Sequence, residues 1–165
     1  MSNSYPEMEL LENAIKTMKQ NPSDESVEQL VNALARTIDC KKALYSAWPQ
    51  DGVETNVYGG RYEAQTLNLS RIPVVRLDGG DAFLQIATRK KFLQLGNKAP
   101  MMPVNLPLVM AIDLIKEHDT VKGIVFNANS LRPLPVAMDV LDTARARSTF
   151  AGRNSLDDFM GRGRR

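Results

Sequence analysis

Apolar and polar positions follow two different periods along this chain, and the change of period divides it. Over residues 7–19, EMELLENAIKTMK, the apolar positions Leu10, Leu11, Ala14, Ile15 and Met18 recur three and four apart, which predicts an amphipathic helix. Its early glutamates suit the positive end of the helix dipole, and Lys16 and Lys19 suit the other end. Asn21-Pro22 stops it, and Ser23 stands where a second helix needs an N-cap. Val27, Leu30, Val31, Leu34 and Ile38 share one face of that second helix. Together they predict a helical hairpin over 7–38, whose apolar stripes need a sheet or another chain to cover them.

Beyond residue 40 the pattern shifts to short apolar runs. KKALYSAW (41–48) predicts a first strand, and residues 49–60, with Gly52, Gly59 and Gly60, read as loop. From Thr66 the stretch TLNLSRIPVVRL is extended in character, with Pro73 marking an edge, a bulge or a strand start. Its end, IPVVRL, and the next run, AFLQIA, are joined by Asp78-Gly79-Gly80-Asp81, residues that tolerate the positive φ of a tight hairpin. Thr88 sits where an N-cap would open a short helix, TRKKFLQLG, with Gly96 as its stop. MMPVN (101–105) is a short strand or an irregular connection. Asn105 and Pro107 then open a helix with Leu108, Ala111, Ile112 and Ile115 inward. VKGIVFN reads as a strand and ANSLRPLP as a turn-rich link. Pro135 opens a last helix, VAMDVLDTARAR, with Val136, Val140, Leu141 and Ala144 on one side. After Thr149 the periodicity fades into a basic tail, expected to be mobile.

The resulting fold class is α+β: an N-terminal helical hairpin followed by a mixed, mainly antiparallel sheet with short helices packed on it. A parallel βαβ series through FLQIA, MPV and GIVFN is the competing topology, and the hairpin at 78–81 argues against an all-parallel sheet. The 165 residues fit one domain over 1–149, with the helical hairpin at 7–38, a sheet-containing core at 41–147 and a tail at 150–165.

Composition narrows the functional classes. A formal net charge of +2 gives no general attraction to nucleic acid or membrane. The charge is uneven, though. Residues 1–30 carry six acids against Lys16 and Lys19, and residues 143–165 carry six arginines against Asp157 and Asp158. Such ends can pair between copies, so a homo-oligomer is one expectation. The single cysteine, Cys40, excludes an internal disulfide. With no leader-like start and no apolar run of about 20 residues, the expected location is the cytoplasm, without membrane association.

Candidate chemistry is sparse. His118 is the only histidine, and Asp113 and Glu117 lie near it on a helix end that reads as a solvated face, so no metal or other cofactor is expected. No G-x-S-x-G elbow is present, and Cys40 lies at a helix C-terminus that does not favour a thiolate. No catalytic residues are assigned. Thr88, Arg89, Lys90 and Lys91 are the anion-binding candidate: three cations in a first helical turn oppose the dipole, and a local rule broken in this way can mark function. In the tail, Leu156, Phe159 and Met160 recur at i, i+3, i+4 and form a candidate docking element. Aromatic residues make up 6% of the chain and fall mostly inside apolar runs, which argues against nucleic-acid binding.

The central stretch resembles the N-terminal domain of the SseB family of bacterial proteins. The resemblance rests on IPVVRLDGGDAFLQIATRKKFLQL (72–95), LPLVMAIDLIKEH (106–118) and GIVFNANS (123–130), with the helices of 7–38 where that family also has helices. Where the family has Asn-Pro, this chain has Asn127-Ala128. The resemblance implies a small α+β domain with no catalytic residues to carry over, and it carries no role in secretion. The function expected is that of a non-enzymatic bacterial protein-interaction or regulatory domain with a protein partner. The alternative is a domain or enzyme that binds a small anion at residues 88–91.

Overall fold

The computed structural model describes residues 6–40, 43–58, 62–68, 72–77, 80–95, 101–131 and 133–148. In chain order these form α1 (Pro6–Gln20), α2 (Asp24–Asp39), β1 (Ala43–Pro49), β2 (Val53–Tyr58), β3 (Tyr62–Leu67), β4 (Val75–Arg76), β5 (Ala82–Ile86), β6 (Met101–Pro107), α3 (Leu108–Lys116), β7 (Val121–Phe126), β8 (Leu134–Ala137) and α4 (Met138–Arg147).

The helical hairpin forms as its pattern predicts. Ser23 caps α2 in a reciprocal box: its hydroxyl accepts the Ser26 N–H at 3.1 Å, and the Ser26 hydroxyl accepts the Ser23 N–H at 2.7 Å. Leu11, Ala14 and Ile15 of α1 and Leu30, Val31, Leu34 and Ile38 of α2 are buried together. Leu10, placed on the buried stripe by its spacing, is instead 41% exposed, at the rim of a shallow groove between α1 and α2.

The sheet is mixed. Its largest part has the order β4-β5-β7-β8, with β4–β5 and β7–β8 antiparallel and β5–β7 parallel. β1 pairs antiparallel with β6 along its whole length, and a single bridge between Tyr45 and Ala87 ties β1 to the end of β5. Every residue of β5 is buried, as befits a strand covered on both faces. At the β4–β5 turn, Gly80 adopts φ 88°, the backbone state for which the glycines of the turn were expected; Asp78 and Gly79 lie outside the described residues. Gly123 in β7 is required for another reason: a Cβ there would stand 2.1 Å from the Val136 carbonyl oxygen of β8. The main core joins α1, α2, α3 and α4 to the sheet around Trp48, Leu84, Ile86, Leu106, Ile112, Ile124 and Phe126.

Four local expectations are corrected. Residues 53–58, read as loop, form β2, which pairs antiparallel with β3; the ladder Val53↔Leu67 to Tyr58↔Tyr62 overrides the loop-like composition. Asn105 does not cap α3: it lies inside β6 opposite Tyr45, and the residue before the helix is Pro107, with no side-chain cap. Pro135 does not open the last helix. It sits in edge strand β8 opposite Val125, where its missing N–H is tolerated, and α4 starts at Met138.

The helix expected at 88–95 is absent. Only one 3-10 turn forms, Lys90–Phe92, preceded by Arg89 in extended backbone. Contacts from other elements take the groups a helix would use. The buried Gln85 amide donates to the Gln94 carbonyl at 2.7 Å, and its oxygen accepts the Gln94 N–H at 2.9 Å. The Thr88 N–H goes to Asn127, and the Phe92 carbonyl accepts the Asn129 N–H. The tail 150–165, with the docking candidates Leu156, Phe159 and Met160, lies outside the described residues.

Candidate functional site

β5 and β7 run parallel, so their carboxyl ends leave the sheet side by side. In open sheets of parallel strands that is where ligand crevices form. The residue after β7 is Asn127, which is buried and adopts φ 55°, the left-handed region that an asparagine tolerates better than most side chains. Its N–H donates to the Ile86 carbonyl at 2.9 Å, extending the parallel ladder by one rung. Its side-chain oxygen accepts the Thr88 N–H at 3.0 Å, which fixes the path of the chain leaving β5.

Further bonds hold the two post-strand turns together. The Asn129 N–H donates to the Phe92 carbonyl at 2.9 Å, and the Asn129 side-chain amide donates to the Lys91 carbonyl at 3.2 Å. The Ser130 hydroxyl donates to the Asn127 carbonyl at 2.6 Å, and Lys19 of α1 reaches Ser130 at 3.4 Å. The turn after β5 and the turn after β7 thus form one stitched wall, and α1 forms the facing wall.

Between these walls lies an open cleft of about 1020 Å³. Glu12, Ile15, Lys16 and Lys19 line it from α1, Arg89, Lys91 and Phe92 from the first turn, and Asn127, Asn129, Ser130 and Leu131 from the second. Among the described residues that line it, four are cations and one is a carboxylate. Glu12, Lys16 and Lys19 come together because residues four and three apart share a helix face. Leu131 is fully exposed at the rim.

Arg89 and Glu12 bridge the two walls with two parallel hydrogen bonds, Nε to Oε2 at 2.8 Å and Nη2 to Oε1 at 3.0 Å. This is the fork geometry in which guanidinium holds a planar oxyanion. The Arg89 hydrogen bond lowers the Glu12 pKa from its ordinary value, against burial, which raises it; the Thr88 hydroxyl and the charges of Arg89 and Lys91 lower it further. Glu12 in turn raises the pKa of Arg89.

Of the four residues that the sequence singled out, the structure brings Arg89 and Lys91 to the cleft. Thr88 is buried behind it, and the Lys90 ammonium lies 5.8 Å from the centre of the Tyr45 ring. The helix start that was to hold an anion is not formed, so the cations act from a turn and not from a helix dipole. Within their own segment Lys16, Lys19 and Glu12 read as helix-dipole partners and as part of an acidic N-terminal charge balance. Their shared face was visible in the sequence, but the turn they oppose lies far along the chain.

Elsewhere, Asp113 pairs with Arg145 and the Cys40 thiol donates to the Thr37 carbonyl at 3.4 Å. Among the described residues no group of three His, Cys, Asp or Glu side chains could hold a metal ion, and no helix is long and apolar enough to cross a membrane. Neither a family model, nor a curated protein, nor a solved structure matches the chain.

Proposed function

We propose that this chain is a non-enzymatic protein-interaction or regulatory domain of the SseB N-terminal type, and that it receives an acidic segment of a bacterial protein partner in the cleft at the carboxyl ends of β5 and β7. The observation that carries this reading is the convergence of Lys16, Lys19, Arg89 and Lys91, from two distant segments, on one concave surface. Like charges gathered in a concavity repel one another, and the field they focus outward attracts anions. The lining offers charge and hydrogen bonds, which is what holding a carboxylate requires.

The size and rim of the cleft favour a protein segment. Its volume of about 1020 Å³ sits at the upper end for small-molecule pockets, which run to about 1,000 Å³. Exposed Leu131 and half-buried Phe92 add apolar surface beside the cations. An acidic peptide with intervening apolar side chains matches both. A free small anion shares the chemistry and is the second reading, favoured by the Arg89 fork alone.

Fluorescence anisotropy with a labelled hexaglutamate peptide tests the proposal, with inorganic phosphate as the competing arm. The wild type is expected to bind the peptide, less tightly as salt rises, and Arg89→Glu with Lys91→Glu is expected to abolish binding while thermal melting stays cooperative. Phosphate binding without peptide binding would move the assignment to small anions. Peptide binding that survives the double substitution would remove the cleft from consideration.

A further inference from the structure

The carboxylate of Glu12 marks a specific position inside the cleft. It comes from the facing wall, reaches Arg89 across the cleft, and takes both hydrogen bonds of the guanidinium fork at 2.8 and 3.0 Å. Both partners keep contact with solvent, with 39% of the Arg89 side chain and 21% of the Glu12 side chain exposed. An incoming carboxylate therefore reaches the fork from the open side without the core being disturbed. Building on the binding reading above, we infer that Glu12 stands where the ligand's own carboxylate binds: the Arg89 fork is the carboxylate subsite of the cleft, and Glu12 is its built-in competitor.

Three features support the exchange. The other cations of the cleft, Lys16, Lys19 and Lys91, are point charges that hold a displaced or an arriving carboxylate without dictating its plane. Among the described residues of the cleft, Arg89 alone supplies a planar fork. Asn127 and Thr88 fix the backbone from which Arg89 projects, so the fork keeps its position when its partner changes. Glu12 sits on α1, whose buried face of Leu11, Ala14 and Ile15 holds the helix in place whether or not the ion pair is made. Without a ligand the competitor neutralises part of the cationic surface. With one, it is released to solvent.

The test is a cycle of four proteins, wild type, Glu12→Gln, Arg89→Ala and the double variant, titrated with the same labelled hexaglutamate peptide. Glu12→Gln keeps the shape of the side chain and removes its charge. It is expected to tighten peptide binding about tenfold, the scale of one lost like-charge contact at a partly exposed site. In the Arg89→Ala background the same change is expected to give little or no gain, because no fork remains to be freed. A Glu12→Gln protein that binds no tighter than wild type, while wild-type binding still depends on Arg89, overturns the exchange and leaves the cleft reading standing. An equal gain in both backgrounds also overturns it, since Glu12 would then act only as a diffuse charge. If no form binds the peptide, the binding reading falls and this inference with it. Thermal melting of all four proteins shows that each is folded.

Discussion

Three arginine–carboxylate pairs tie a helix to another element among the described residues, Arg89–Glu12, Arg145–Asp113 and Arg147–Glu28, and the surroundings of the first two set them apart. Arg145 of α4 pairs with Asp113 of α3, where 17% and 14% of the two side chains are exposed. Arg89 pairs with Glu12 across the cleft, more than twice as exposed on the arginine side. Burial lowers the Arg145 pKa from its ordinary value, but guanidinium titrates so high that the group stays charged. Arg89 moves the other way, raised by its partner. The chemistry is the same in both pairs. Under the exchange inferred above, the difference in access to solvent is what separates the Arg145–Asp113 lock from the exchangeable Arg89–Glu12 pair.

Breaking the enclosed pair has the largest expected effect on stability. Removing one partner takes an ion pair from the other where water reaches it poorly. Arg145→Ala or Asp113→Ala is therefore expected to cost about 2–3 kcal/mol, at the low end for buried pairs because some exposure remains. Denaturant unfolding measures it. Both variants are expected to keep hexaglutamate binding at wild-type strength under native conditions, since neither residue reaches the cleft. Arg89→Ala is expected to reverse the pattern: a smaller drop in melting temperature and markedly weaker, still measurable, peptide binding. If Arg89→Ala destabilises as much as Arg145→Ala, the cleft pair is a lock too, and the contrast fails.

The fold was legible where local rules and global packing agree. The stripes of α1 and α2, the Ser23 cap, β1, the glycine turn before β5 and the inner face of α3 all came from periodicity and capping chemistry. Misreadings fell where distant partners take the backbone. Residues 88–95 carry a cap-like Thr88 and an apolar spacing, yet Gln85, Asn127 and Asn129 claim the groups a helix would pair. β8 carries a proline that signals a helix start until β7 is known to lie beside it. The site was half legible for the same reason. Arg89 and Lys91 stand out because they belong to one run of three consecutive cations, Arg89-Lys90-Lys91. The α1 face of Glu12, Lys16 and Lys19 acquires meaning only when the topology sets it opposite them.

The pH dependence of stability sharpens the contrast at the carboxylate. Glu12 in the folded protein has its pKa lowered below the ordinary value of 4.5, chiefly by the Arg89 hydrogen bond. The stabilisation it contributes is thus fully present above the unfolded value and lost as pH falls through the lowered folded value. Wild type is expected to lose more stability between about pH 5 and pH 3 than Glu12→Gln does, so the two unfolding curves converge toward acid. Parallel curves over that range would mean that Glu12 gains nothing from its partner in the fold.

The smallest expected effects belong to the lysines, and they separate a fork from a field. Lys16 and Lys91 line the cleft, and no carboxylate among the described residues makes a salt bridge to either. As point charges at an exposed wall, each is expected to contribute only about two- to threefold to peptide affinity, so Lys16→Ala and Lys91→Ala weaken binding by that factor each. Screening distinguishes their contribution from that of Arg89. Between about 0.05 M and 0.5 M salt the Debye length shrinks from about 14 Å to about 4 Å, which removes most of a diffuse attraction and little of a direct hydrogen-bonded contact. The lysine variants are therefore expected to converge with wild type at high salt, while Arg89→Ala remains weaker at every concentration. Convergence of all three would reduce the cleft to a patch of positive field with no carboxylate subsite in it.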